Sequence, residues 1–209
     1  MLELHSMGRV GSRGLAQGGC KDRWCVVLLV MGWLAVSVFP RAALASAEDV
    51  RAVVLLRALA YDDGLKTRAV DKIVIAVVVP NLSAAADNPI HAGMKGISNL
   101  TIQGMPLSIV DLHYTDSTAL KRAIVTKDVD VLYLGKGLDG VVAEIVRVGR
   151  ELRVPSMAIQ ASYLTEGVAV AAVQTDQGDK PKLVVNLASA KAQGMLLRPE
   201  LLRIAQVIE

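Results

Sequence analysis

Apolar runs of strand length recur along the chain and are separated by segments with helical spacing. The clearest runs cover residues 72–79, 128–134 and 154–160, and the first two are rich in valine, isoleucine and leucine. Apolar runs without strict alternation are typical of strands buried on both faces, as in parallel sheets. The pattern therefore predicts three central strands.

The segments around these runs predict helices and short strands. Residues 47–61 have helical periodicity and predict an amphipathic helix that packs on the core through one face. The residues expected on that face are Val50, Val53, Val54, Arg57 and Ala58. The other predicted elements are a helix at 83–96 interrupted near Asn88, short strands at 100–103 and 107–112, and helices at 117–125 and 141–152.

Two further apolar runs, at 168–173 and 182–185, flank a polar segment near the C terminus. We expect them to form an antiparallel hairpin at one edge of the sheet, because the segment between them is rich in turn-forming residues. The residues expected in the turn are Asp176, Gly178, Asp179 and Pro181.

Two short helices are predicted after the hairpin. Asn186 can cap a helix at 187–193, because its side-chain oxygen can accept from a backbone N–H of the first turn, and Gly194 ends that helix. Pro199 suits the first turn of a last helix. The apolar face predicted for this last helix consists of Leu201, Leu202, Ala205 and Ile208.

Alternating strands and helices of this size favour an α/β fold. We expect a three-layer α/β/α single domain with a largely parallel sheet. The pattern resembles one lobe of a periplasmic solute-binding protein without the second lobe.

The first 45 residues have the organisation of an export signal. Basic residues precede an apolar run at 24–39, and Ala43 and Ala45 follow it as a small-x-small cleavage signature. This combination predicts a signal peptide at 1–45, cleaved after Ala45 or Ala47, and a mature periplasmic domain at 46–209 with no membrane span. An uncleaved N-terminal anchor is the alternative.

Removal of the leader changes the composition of the chain. The leader holds five of the 23 basic residues and two of the 20 acidic ones, so the mature part has 18 of each and is formally neutral. A neutral domain lacks the basic footprint of nucleic-acid binding. Both cysteines, Cys20 and Cys25, lie in the leader, so we expect no disulfide and no thiol chemistry.

A glycine-rich segment after the second central strand matches the dinucleotide-binding pattern G-x-G-x-x-G. It contains Gly135, Lys136, Gly137 and Gly140. The segment follows a middle strand, and no acidic residue ends the next strand, so we expect a tight turn and no cofactor. An anion bound beside Lys136 at the helix N-terminus is a second hypothesis.

A second candidate segment follows the third central strand. Thr165 and Glu166 are expected at the carboxyl edge of the sheet, where α/β folds tend to bind ligands. A turn or helix cap is the simpler interpretation. The residues of this weak candidate ligand site are Gly135, Lys136, Gly137, Thr165 and Glu166.

Histidine and acidic residues cluster near the end of a predicted strand. Asp111, His113 and Asp116 lie close together in sequence, and His91 is the only other histidine of the mature part. These residue types can bind a metal ion. A solvated strand end is the simpler interpretation, so we expect no metal.

The sequence lacks the motifs of common hydrolases. Neither G-x-S-x-G nor H-E-x-x-H is present. Asp62 and Asp63 form an acidic pair, which we expect to end a helix and make a turn, with no buried pocket nearby. We therefore expect a protein that is not an enzyme.

The C-terminal quarter carries a family resemblance. An apolar strand, an Asn-Leu pair, a small-residue helix closed by glycine and a final Leu-Leu-x-Ile-Ala-x-Val pattern resemble the C terminus of the YfiR/HmsC family of periplasmic proteins. The matching residues are Asn186, Leu187, Ala190, Gly194, Leu201, Leu202, Ala205 and Val207. Residues 47–64 depart from the family, which has an aromatic-rich helix and a Trp-Pro pair in this region.

This resemblance implies a non-enzymatic periplasmic regulator. Members of the family are expected to repress an inner-membrane diguanylate cyclase by binding its periplasmic sensory domain, and so to control cyclic-di-GMP and biofilm formation. In relatives disulfides help to set a redox-sensitive state, which a mature part without cysteine cannot use. Two rivals stay open: a single-lobe solute-binding protein of a transport or sensing system, and an exported enzyme. The partner's identity and the formation of a homodimer are also left open.

Overall fold

An eight-stranded mixed sheet organises the part of the chain that the structure, a computed structural model, describes: residues 47–81, 88–95, 101–175 and 178–209. The strands lie in the order β2-β3-β1-β4-β5-β6-β7-β8. The β2–β3 and β6–β7 pairs are antiparallel and all other neighbours are parallel. The strands are β1 (Ile73–Val79), β2 (Thr101–Ile102), β3 (Met105–His113), β4 (Val131–Leu134), β5 (Ser156–Ala158), β6 (Val170–Thr175), β7 (Gly178–Asn186) and β8 (Gln206–Ile208).

Helices cover both faces of this sheet. One apolar cluster joins Leu55 and Leu56 of α1 to Ile75 of β1, and a second joins Leu120 of α4 and Ile145 of α5 to the opposite face. The predicted three-layer α/β fold with a largely parallel sheet is thus confirmed. The helices are α1 (Ala47–Ala58), α2 (Leu65–Arg68), α3 (Pro89–Lys95), α4 (Ser117–Thr126), α5 (Val142–Leu152), α6 (Leu187–Ala192) and α7 (Pro199–Ile204), with 3-10 turns at Leu59–Tyr61 and Ala161–Leu164.

The central strand β1 is buried along its whole length. It lies between β3 and β4, and its side chains alternate between the two apolar clusters. Full burial of a valine or isoleucine side chain contributes about 1.5–3 kcal/mol relative to exposure. An apolar residue at every position is therefore the composition that this location requires.

The first helix packs on the sheet through a face that only partly matches the predicted one: Ala58 is buried and Val54 packs against the core, as expected, but Val50 and Arg57 are exposed. Ala52, Leu55, Leu56 and Leu59 are buried, at helical spacing, and α1 packs against β6 and β7. Val50 is 41% exposed and Arg57 is exposed as well, so their predicted inward positions were wrong. The leucines remove more apolar surface from water than the valines do, and they decide which face turns inward.

The C-terminal region differs from the prediction in the hairpin. Strand β7 already begins at Gly178, so Gly178, Asp179 and Pro181 lie in the strand and not in a turn, and Asp176 lies outside the described residues. Pro181 is accommodated because the pairing of β6 with β7 shifts register between Val173 and Thr175, and proline in sheets occurs at such irregularities.

The last helix is also shorter than predicted. Helix α7 ends at Ile204, Ala205 has extended backbone, and β8 then pairs in parallel with Val184–Asn186 of β7. The hairpin is therefore not the edge of the sheet at that end. A helix through Ile208 would leave the backbone of β7 unpaired there, whereas β8 supplies hydrogen bonds and packs Ile208 beside Val184.

Several local predictions are confirmed. The side chain of Asn186 accepts a hydrogen bond from the Ser189 N–H at 2.9 Å and caps α6. Gly194, with φ +84°, adopts the left-handed conformation that ends this helix. The helix predicted at 141–152 is α5, and it buries Val142, Ile145, Val146 and Gly149.

Asp62 is fully buried and joins the two ends of the described chain, where the sequence had indicated only a turn without a buried site nearby. Its carboxylate accepts from Arg68 Nη2 at 2.5 Å, from the Leu196 N–H at 2.8 Å and from the Gly64 N–H at 3.0 Å. Arg68 Nη1 donates to the carbonyl of Gly194 at 2.7 Å. One ion pair therefore holds the segment after α1 against the segment that follows α6.

Replacement of Asp62 by asparagine is expected to destabilise the fold by about 3 kcal/mol. The substitution keeps the shape of the side chain but leaves the Arg68 guanidinium without its countercharge in a largely buried position. Asp63→Asn is the matched control, because Asp63 pairs with Arg198 at the surface with 55% of its side chain exposed, and we expect it to cost less than about 1 kcal/mol. Urea unfolding measures the free energy of unfolding of both variants. Equal decreases in the two variants would contradict the structural role assigned to the buried ion pair between Asp62 and Arg68.

Asp130→Asn is expected to stabilise the protein at neutral pH. Burial raises the pKa of Asp130, whose Oδ2 accepts from the Val74 N–H at 2.8 Å. The folded state therefore holds the proton more tightly than the unfolded state, and wild-type stability falls as pH rises from the unfolded pKa, about 3.9, through the raised folded pKa.

Asparagine keeps an acceptor for Val74 without the buried charge. Urea midpoints at neutral pH should favour the variant, and the difference should shrink as pH falls below the unfolded pKa. A variant that is less stable than wild type at neutral pH would overturn this interpretation.

Candidate interaction surface

Two loops that sequence analysis singled out meet at the carboxyl edge of the sheet. The glycine-rich loop follows β4 and the segment 163–167 follows β5, and these strands are neighbours. The hydroxyl of Tyr163 accepts from the Leu138 N–H at 3.1 Å and donates to the Gly135 carbonyl at 3.4 Å. Burial raises the pKa of Tyr163, so the hydroxyl stays neutral as it joins the loops.

The glycines of the first loop are explained by close packing. A Cβ at Gly135 would lie 3.0 Å from the Val78 carbonyl oxygen, and Gly137 has φ +82°. Lys136 forms an ion pair with Glu48 of α1 while 59% of its side chain stays exposed. The tight turn expected from the sequence accounts for these residues, and anion binding by the loop stays a prediction.

The second candidate segment is also engaged in local contacts. The hydroxyl of Thr165 donates to the Ser162 carbonyl at 2.6 Å, and the Glu166 N–H donates to the Tyr163 carbonyl at 3.2 Å. Both Thr165 and Glu166 are exposed. A ligand role for Thr165 and Glu166 stays a prediction.

The structure brings together only part of the suggested metal cluster. His91 Nε2 and Asp111 Oδ1 are 2.9 Å apart, while Asp116 accepts from the Ala119 N–H at 2.8 Å and caps α4. His113 is exposed at the end of β3. Within the described ranges, no three histidine, cysteine, aspartate or glutamate side chains are grouped to hold a metal ion.

A polar cluster that sequence analysis missed lies under the first turn of α1. Arg51 Nη1 donates to the Ile159 carbonyl at 3.1 Å, and Arg51 also lies 3.6 Å from Glu48. The Tyr133 hydroxyl is buried without a hydrogen-bond partner among the described residues, and burial raises its pKa. Arg51 looked like one polar residue of an amphipathic helix, so periodicity alone could not identify its role.

An open groove lies between α1, β7 and α7, away from the loops at the carboxyl edge. Its volume is about 580 Å³. We call it the basic groove, because the described residues that line it include three basic side chains and no carboxylate. These residues are Val54, Arg57, Ala58, Tyr61, Lys180, Pro181, Lys182, Leu183, Leu201 and Ile204. Sequence analysis missed this surface, since its parts come from both ends of the chain.

Comparison with known families identifies the chain. The family model described as YfiR/HmsC-like matches residues 48–206. The chain belongs to the YfiR/HmsC-like family. The resemblance inferred from the C-terminal quarter is therefore confirmed over most of the chain, and the family is known for periplasmic regulation of cyclic-di-GMP cyclases. A comparison with curated proteins finds no match.

Solved structures that resemble this YfiR/HmsC-like chain have low sequence identity. A conserved domain protein from Vibrio cholerae is 13% identical with a TM-score of 0.48, covering 71% of this chain and 60% of its own. An ABC domain in complex with L-Trp from Streptococcus pneumonia is 12% identical with a TM-score of 0.48, covering 73% and 62%. A ligand-free, open substrate-binding protein with adhesive properties from Clostridium difficile is 14% identical with a TM-score of 0.47, covering 69% and 57%.

The YfiR/HmsC-like chain thus spans about 60% of the length of these structures. The assignment to the α/β class follows from its own sheet. In the part of the chain that the structure describes, no helix is both long and apolar enough to span a membrane.

The residues of this YfiR/HmsC-like chain that match the family motif cap, end or pack the C-terminal helices. Asn186 caps α6, Ala190 and Leu201 are buried, and Gly194 ends α6. A second groove of about 400 Å³ is lined by Leu187, Ala190 and Leu202 among others. The motif therefore maintains the C-terminal packing that forms one wall of the basic groove.

Tyr163→Phe is expected to destabilise the protein by about 1–3 kcal/mol. The variant removes the acceptor of the buried Leu138 N–H and keeps the ring, so the loss reports an unsatisfied polar group. Thr165→Val is the control on the same segment, because its hydroxyl bonds at the exposed surface. Urea unfolding measures both, and an unchanged midpoint for Tyr163→Phe would show that water replaces the hydroxyl.

Proposed function

We propose that this YfiR/HmsC-like protein is exported by the signal peptide at 1–45, with cleavage after Ala45 or Ala47, and acts in the periplasm as the domain 46–209. There it represses an inner-membrane diguanylate cyclase by binding the periplasmic sensory domain of that enzyme. Repression lowers cyclic-di-GMP and restrains biofilm formation. The protein acts by binding and catalyses no reaction in this role.

The observation that carries the proposal is the family match over residues 48–206. The match covers both α1 and the C-terminal segment, which together form the walls of the basic groove. A regulator that acts by protein binding needs an accessible surface more than a set of reactive groups. The structure offers such a surface in the groove and in the neighbouring exposed side chains.

The chemistry of the described residues also favours binding of a protein. Several of the loop groups suggested for a small ligand already have partners within the chain, as Lys136 does in Glu48 and the Thr165 hydroxyl in the Ser162 carbonyl. By contrast, the basic groove has an apolar floor at Leu183 and Leu201, and the side chain of Ile204 beside it is 70% exposed. Large exposed apolar side chains beside a concave surface are typical of protein contacts.

Deletion of the gene is expected to raise cellular cyclic-di-GMP, because the cyclase loses its repressor. Complementation with the full chain should restore the lower level, and complementation without residues 1–45 should not, since that product stays on the wrong side of the membrane. Quantification of cyclic-di-GMP in cell extracts measures all three strains. No rise on deletion would contradict the proposed repression.

Variants of Asp111 and His113, which the sequence suggested as metal ligands, distinguish a regulatory function from a catalytic one. Asp111→Ala and His113→Ala should complement the deletion fully if the protein acts by binding. Loss of complementation by either variant, with normal export and folding, would favour an exported enzyme. Both residues lie on β3, distant in the sheet order from β7 and the basic groove.

A further inference from the structure

The basic groove combines an apolar floor with a cationic rim. Leu201 is 1% exposed and Leu183 is 8% exposed at the floor, while Ile204 projects from one lip. Arg57 comes from α1, and Lys180 and Lys182 come from β7. An occupant must therefore offer an apolar face and negative charge at the edges of that face.

The rim charges lack partners within the described part of the chain. Some basic residues elsewhere on the surface are paired, as Arg147 and Lys121 both are with Glu151. Arg57, Lys180 and Lys182 make no ion pair among the side chains that the structure describes, which do not include that of Asp179. Three like charges around one groove repel each other, and an anionic occupant relieves that repulsion.

The edge of β7 disfavours an occupant that adds as a strand. Strand β8 pairs only with Val184–Asn186, so the outer edge of β7 from Gly178 to Leu183 has no strand partner among the described residues. Pro181 has no N–H to donate, and Lys180 and Lys182 flank it, which are the features that block edge-to-edge pairing. A helix laid in the groove needs none of these backbone groups.

We propose that the basic groove binds an acidic amphipathic helix of the protein partner. Apolar residues of that helix pack against Leu201 and Ile204, and carboxylates on its flanks face Arg57, Lys180 and Lys182. This inference rests on the proposed function for the partner's role, and it adds the contact surface and the chemistry of the partner segment.

Direct binding tests this inference with a fluorescent helix-forming peptide. The probe has leucine at positions i, i+3, i+4 and i+7 and glutamate at the flanking positions. One matched probe has lysine in place of each glutamate, and a second keeps glutamate but has glutamine in place of leucine. Anisotropy titrations with the purified chain should show binding of the first probe alone, weakened as salt is raised.

Charge reversal in the groove should weaken binding of the acidic probe and transfer binding to the basic one. Arg57→Glu, Lys180→Glu and Lys182→Glu should each weaken the acidic probe about threefold to tenfold. Arg122→Glu is the matched control, because Arg122 is exposed on α4, which packs on the other face of the sheet. The triple reversal should bind the lysine probe, provided that its circular dichroism and urea midpoint match those of the wild type.

Equal effects of Arg122→Glu and the groove reversals would overturn the proposal, as would equal binding of the acidic and basic probes. Cyclic-di-GMP measurements keep this failure separate from failure of the proposed function. If the triple charge-reversal variant folds and still complements the deletion fully, that result contradicts the groove proposal and leaves the proposed repression unaffected. The groove variants could instead exchange their probe preference as expected while deletion of the gene leaves cyclic-di-GMP unchanged. That result would support the groove proposal and refute repression.

Discussion

The buried ion pair between Asp62 and Arg68 fixes the relation between the beginning and the end of this domain. Two segments that are more than a hundred residues apart meet at one carboxylate, which accepts backbone N–H groups from both. A buried charge is costly unless it is paired and hydrogen-bonded, and here each carboxylate oxygen has a donor. The backbone bridge between Asp62 and Leu197, and the hydrogen bond from the Arg198 N–H to the Tyr61 carbonyl, continue the same contact.

Much of the fold could be predicted from the sequence because its central strands are locally encoded. A short apolar run rich in valine and isoleucine, such as β1, favours a strand covered on both faces, and the Asn186 cap needs only its own first turn. The predictions that were wrong concern contacts between segments that are distant in sequence. The strand β8 forms because β7 lies beside it, and the local spacing of Leu201, Leu202 and Ile208 favours a helix instead.

The difference between local and long-range contacts also explains which parts of the candidate surface could be predicted from the sequence. Sequence motifs drew attention to Gly135–Gly137 and to Thr165 and Glu166, where local spacing is conspicuous. In the structure Gly135 bonds to the neighbouring loop, Lys136 pairs with α1, and Thr165 bonds within its own segment. The basic groove has no local signature, since Arg57 and Lys182 lie far apart in the chain. The sequence predicts only a helix end and a turn at Asp62 for the same reason, because its partner Leu196 is 134 residues away.

The closure of both ends by one contact also sets the order in which the fold can be completed. A chain that emerges with its N terminus first releases α1 early, but the strands against which α1 packs, β6 and β7, come more than a hundred residues later. Leu196 and the Gly194 carbonyl, which hold Asp62 and Arg68, come later still. Until β6 and β7 appear, the leucine stripe of α1 lacks the two strands against which it packs, and its apolar surface is open to contact with other apolar surfaces.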